Sequence, residues 1–173
     1  LVMLSPLAFI LVLSFGIQRM SFGTLQIVFW VFAAAMGVSL ATIFATFSGE
    51  SIARVFFITA GTFAAMSIWG YTTKRDLTKM GSFLIMGLIG IIIASVVNIF
   101  IGSSAIQFAV SVIGVIVFTL LTAYDTQRIK NNFLEYREHG EAVAKMAIMG
   151  AVSLYLDFIN LFMLLLSLFG NRN

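Results

Sequence analysis

Across residues 80–124 no side chain is charged. Crossing ~30 Å of hydrocarbon as helix takes roughly 20 apolar residues, so this run is long enough for two crossings. Ile101-Gly102-Ser103-Ser104 interrupts it near its middle and supplies the turn. Cutting the rest of the chain at its charged residues leaves comparable runs at 1–18, 25–49, 55–73 and 146–171, the last interrupted only by Asp157. The reading is six spans, at 1–17, 25–47, 55–73, 80–101, 104–126 and 146–169. They form one transmembrane bundle with almost nothing left for an extramembrane domain. With 61% hydrophobic and 10% charged residues, the composition lies far from the roughly one-quarter charged of soluble domains. The fold class is all-α, a polytopic helical membrane protein.

Several functions are excluded on the same grounds. Loops this short hold no nucleotide-binding fold, and a net charge of +3 spread over loops makes no nucleic-acid surface. Without cysteine there is no disulfide framework, thiol nucleophile or Cys-ligated zinc, and the single histidine, His139, builds no metal site alone. The runs lack the period-two alternation of a membrane barrel. No catalytic constellation is expected, and no cofactor.

If the spans alternate, Arg19, Lys74, Arg75, Lys79, Arg128, Lys130, Arg137 and Lys145 share one side and only Arg54 and Arg172 face the other. That asymmetry places the loops after spans one, three and five in the cytoplasm. Both ends then lie outside. An exterior start within an apolar Leu-Val-Met run, lacking a basic flank or signal-peptide cleavage site, leads to the expectation of a truncated N-terminus with an upstream span missing. Ala33, Gly37 and Ala41, and likewise Gly61 and Ala65, stand at the small-residue spacing of close helix packing.

Function is sought among polar residues at membrane depth. Asp157 lies near the middle of the last span, where a charged aspartate costs roughly 2.5–3.5 kcal/mol. Helical spacing puts Gly150, Ser153, Asp157, Asn160 and Leu164 on one face, a polar stripe that must face protein or water. The span before it carries a matching stripe of Ser111, Gly114, Phe118, Thr122 and Asp125. A basic loop around 127–145 joins the two spans, which should run antiparallel and bring the two carboxylates together. Such a pair shares one proton, titrates as a unit, and offers oxygen ligands to a hard cation such as Ca²⁺. The plain alternatives are an interfacial ion pair of Asp125 with Arg128 and a satisfied interhelical hydrogen bond for Asp157.

The run Leu154-Tyr155-Leu156-Asp157-Phe158-Ile159-Asn160-Leu161-Phe162 resembles the last-helix signature of the Bax-inhibitor family, the transmembrane Bax inhibitor motif proteins, in its bacterial branch. Thr122-Ala123-Tyr124-Asp125-Thr126-Gln127, Gly70-Tyr71-Thr72-Thr73-Lys74-Arg75-Asp76-Leu77 and Asn98-Ile99-Phe100 extend the resemblance over the chain. The resemblance implies a seven-helix protein of the bacterial inner membrane, its last helix wrapped by the others, forming a pH-sensitive calcium leak. The family's paired aspartates fall on Asp125 and Asp157, which are then pH sensor and Ca²⁺ path, and its latching arginine falls on Arg19; the plain reading of Arg19 is a positive-inside residue. The resemblance also leads to the expectation that the first of the seven helices is missing from this chain. The implied partners are the lipid bilayer, Ca²⁺ and protons. A non-conducting regulator that binds a membrane protease or another membrane protein is also consistent with the family.

Two intramembrane aspartates also suggest an aspartyl protease. Those enzymes carry Gly-x-Gly-Asp and a later Pro-Ala-Leu segment, whereas Leu154-Tyr155-Leu156 precedes Asp157 here and the single proline is Pro6. Among weaker signals, Asn98 and Gln107 could line an outer vestibule, and Glu50 and Arg54 stand at the spacing of a local ion pair.

Overall fold

Serines open three of the helices, each with its hydroxyl turned to an amide that the first helical turn leaves unpaired. Ser21 accepts from Thr24 N, Ser48 from Ser51 N and Ser103 from Ile106 N. The protein was analysed as a computed structural model that describes residues 15, 16 and 18–172. Its helices are α1 (Phe22–Ala41), α2 (Ile43–Thr46), α3 (Gly49–Thr72), α4 (Thr78–Ile101), α5 (Ser104–Tyr136) and α6 (Gly140–Phe169). Thr42 separates α1 from α2 without breaking the span, and the extended Phe47 ends it. Gly102, in the left-handed region at φ 69°, closes α4 where a side chain would be strained.

Five segments among the described residues are long and apolar enough to cross a membrane: Phe22–Thr46, Gly49–Thr72, Thr78–Ile101, Ser104–Tyr136 and Gly140–Phe169. The span expected over 1–17 falls, apart from Phe15 and Gly16, outside the described residues, as does Pro6, so the described residues carry five of the six expected spans. The basic loop expected over 127–145 is corrected as well. Both flanking helices run into it, leaving only residues 137–139 between them. No glycine or proline occurs between Gly114 and Gly140, and the Arg, Lys, Leu and Glu of this stretch are good helix formers.

The last two helices share the middle of the bundle. α5 packs against α3, α4 and α6, while α6 also meets α1 and α3. Val117, Phe118 and Leu121 of α5 form one core with Leu161, Phe162 and Leu165 of α6, to which α3 adds Val55 and α4 adds Leu84. Leu25, Phe32 and Met36 of α1 make a second with Val152 and Ile159 of α6. α4 buries little more than Gly81 and Leu84 and turns Phe83, Ile93, Ile99 and Phe100 outward, as a helix surrounded by hydrocarbon can.

The small-residue stripes do not mark the close approaches. A Cβ at Gly37 or Gly61 would meet no described atom within 4 Å. Backbones come together instead at Gly70, where a Cβ would collide with the main chain of Ala123, and at Gly81, where it would strike the Tyr124 ring. Lipid chains are as apolar as leucine, so a small-residue repeat does not by itself say whether a face meets lipid or protein.

Candidate functional site

The close contacts of α5 fix where its polar residues point. A Cβ on Gly114 would lie 2.6 Å from Leu164, and one on Gly150 would lie 2.8 Å from Ile129. These two contacts, at opposite ends of the seam, set α5 and α6 antiparallel. Gly70 and Gly81 bring α3 and α4 onto residues 123 and 124 immediately before Asp125. The carboxylate is thus placed by three neighbouring helices.

Asp125 and Asp157 are both buried, at 6% and 5% exposure. Their side chains lie within hydrogen-bonding reach of one another across the seam. Oδ2 of Asp157 is buried and has no hydrogen-bond partner among the described residues. Arg128, one turn beyond Asp125, places Nη2 3.1 Å from Asp125 Oδ1 and donates from the same nitrogen to Ser153 Oγ at 3.2 Å. Its guanidinium carbon stands 5.7 Å from the centre of the Tyr124 ring. One half-exposed arginine therefore ties α5 to α6 directly over the buried acids.

The other expected residues are placed differently. Arg19 is exposed in a turn before α1, its amide bonded to Gly16 O, and it belongs to neither of the ion pairs among the described residues, Arg128–Asp125 and Lys145–Glu141. Asn160 spends its amide on Leu156 O of its own helix at 2.8 Å. Ser111 and Thr122 likewise bond back to Gln107 O and Phe118 O. Asn98 accepts from Ser103 N and so caps the α4–α5 turn. Arg54 reaches Phe169 O at 3.3 Å and forms no ion pair with Glu50, which corrects the local pairing expected from their spacing.

Gln127 and Lys130 were missed as functional residues. Gln127, buried on α5, accepts from Leu77 N at 2.8 Å and donates to Arg75 O at 2.7 Å, clamping the α3–α4 connection. Lys130 donates to Tyr71 O at 2.8 Å with its ammonium 4.8 Å from the Tyr71 ring centre. The segments 70–77 and 122–127, quoted separately from the sequence, are the two sides of one interface. A buried glutamine two positions from a candidate carboxylate was the available signal.

Two adjacent carboxyl groups at low dielectric can hold one proton between them, and once deprotonated they repel. Among the described residues no group of three or more His, Cys, Asp or Glu could hold a metal ion. A hard cation passing the pair would have to complete its shell of six to eight oxygens from hydroxyls, carbonyls and water.

A family model described as inhibitor of apoptosis-promoting Bax1 matches residues 1–173. An uncharacterized protein of Rickettsia prowazekii is 50% identical over 172 residues, which is 99% of this chain and 72% of that protein. The inner membrane protein YbhL of Escherichia coli is 49% identical over 171 residues, 98% of this chain and 73% of its own length. A membrane protein of Streptococcus pyogenes is 38% identical over 146 residues, 84% and 63% of the two chains.

Proposed function

We propose that this chain, which belongs to the Bax-inhibitor family and is a helical protein of the bacterial inner membrane, is a pH-sensitive calcium leak gated by Asp125 and Asp157. The observation that supports the reading is the buried carboxyl pair on two facing helices, with Asp157 Oδ2 unpartnered among the described residues. Calcium as the cargo follows the family resemblance; the site's own chemistry supports a hard cation and a proton. No covalent step is part of the function.

With one proton on the pair, a hydrogen bond joins α5 and α6, and Arg128 bridges Asp125 to Ser153 above it. Loss of that proton leaves two anions in a medium where charge repulsion is weakly screened. Repulsion favours parting of the seam and frees carboxylate oxygens toward the cation path. Leak therefore rises as pH increases through the titration of the pair. The measurement is Ca²⁺ flux into proteoliposomes between about pH 5 and 8, a range in which coupled carboxylates can titrate. Asp157→Asn keeps hydrogen bonding and removes the titration, so its profile is flat. An Asn variant that follows the parent's profile removes the pair from the gate, and a parent without flux at any pH leaves the non-conducting regulator of a membrane protein.

The two arginines divide the latch by experiment. Arg128→Gln frees Asp125 in the conformation described and raises basal leak, while Arg19→Ala raises it above Lys79→Ala only if Arg19 takes over the pair in another state.

A further inference from the structure

The α5–α6 seam has two sides. One carries Asp125, Arg128, Ser153 and Asp157; the other holds a cavity of about 380 Å³ lined by Ile129, Lys130 and Phe133 of α5, Val143 and Met146 of α6, and Tyr71 of α3. That volume lies at the lower end of the roughly 300–1,000 Å³ of small-molecule sites. Its walls are largely apolar, with Thr126 and Asn132 as neutral polar residues and Lys130 as the one cation, whose ammonium has three donors and gives one to Tyr71 O. Phe133 and Leu134 beside it are 54% and 52% exposed, one to two turns beyond the level at which Gln127 bonds the basic α3–α4 connection.

From these features we infer that the cavity binds an anionic phospholipid, its acyl chain between α5 and α6 and its phosphate at Lys130. The apolar walls suit a hydrocarbon chain, and the solvent-reaching Lys130 ammonium at their edge suits a phosphate; a lipid of opposite charge accounts for both. Charge complementarity extends beyond the cavity. Arg137 follows Lys130 and Phe133 at helical spacing, and Lys74 and Arg75 are exposed in the connection next to Tyr71. Of the hairpin's three glutamates, Glu141 is paired with Lys145 at 3.6 Å and Glu135 lies on the strip of Arg128 and Asn131, which leaves Glu138, beside Arg137, as the one acidic group among these cations. Basic pockets between membrane helices on the positive side are a recurring means of holding such headgroups.

The test is native mass spectrometry of the full chain released from micelles containing equal palmitoyl-oleoyl phosphatidylglycerol and phosphatidylcholine. The parent retains phosphatidylglycerol preferentially. Lys130→Gln loses that preference by about fivefold, the worth of one cation beside an anionic headgroup, and Lys130→Arg keeps it. Ala147→Phe, which fills the cavity from α6, loses both lipids while circular dichroism confirms that its helices remain. Retention of phosphatidylglycerol unchanged in Lys130→Gln and Ala147→Phe overturns the assignment. So does a dimer in the parent that Ala147→Phe dissociates without altering lipid retention, since the occupant is then a second copy.

Discussion

The two ends of the bundle are closed by different chemistry. At the end away from the basic loops, closure is largely main chain: Ser48 N bonds Asn171 O at 3.0 Å, Phe47 pairs with Arg172 in an antiparallel bridge, and Arg54 reaches the carbonyl of Phe169. At the basic end closure is by side chains. Gln127 and Lys130 hold main-chain groups of α3 and its connection, and Arg128 spans from Asp125 to Ser153. Backbone amides and carbonyls do not titrate, so an end tied by them is indifferent to pH. An end tied through carboxylates can be released when the shared proton is lost, and the buried aspartates lie toward that end.

If this contrast is right, the most damaging change strikes where α3 and α5 touch near the basic end. Gly70→Val drives a side chain into the Ala123 backbone, which cannot move aside as a flexible side chain would, and should cost about 3 kcal/mol. Gly37→Val, on a face that meets no described atom, should cost far less. Denaturation in mixed micelles ranks the two, and equal losses would mean that the close approach does not carry stability.

Next comes the clamp. Gln127→Leu leaves the Leu77 amide buried without its partner, at about 1–3 kcal/mol, while the Arg75 carbonyl, in an exposed residue, turns to water. Amide exchange in residues 73–77 should quicken while that of 47–52 stays as it was. The counterpart at the far end is Ser51→Ala, which removes one bond from Asn171 N and leaves the main-chain pairing in place. About 1 kcal/mol is expected there. A Ser51 variant as costly as the Gln127 variant would erase the difference between the ends.

Much of this architecture was legible because charges punctuate the chain. Spans two to six could be located from the uncharged runs, and Asp157 drew notice because a carboxylate in mid-span needs a reason. Arg128 was legible only as a local partner of Asp125, since its reach to Ser153 depends on how two helices are rotated against each other. The length of α5 was not legible: residues 128–136 are polar enough to read as loop, yet they are also helix formers, and the bond from Lys130 to Tyr71 draws the stretch onto the bundle. The choice of Gly70 over Gly37 as the packing glycine was hidden because lipid and protein present equally apolar surroundings.

The smallest effect belongs to Asp76, which sits at the basic end but in full solvent. Its carboxylate accepts from Thr78 Oγ1 at 2.6 Å and Thr78 N at 3.0 Å, capping the start of α4. These bonds, the hydroxyl's foremost, hold its pKa below the usual aspartate value. A carboxyl whose pKa falls on folding contributes its full stability above the unfolded value of ~3.9 and loses it only as pH drops through the lower folded value. Across pH 5 to 8 the contribution is constant. Asp76→Asn should thus lower the unfolding temperature slightly at neutral pH, lose that difference under strong acid, and leave the pH profile of Ca²⁺ flux where it was. The charge at Asp76 shares the basic end with the buried pair but not its dielectric. A flux profile displaced by Asp76→Asn would place the pH sensor in the solvated connection and take it away from Asp125 and Asp157.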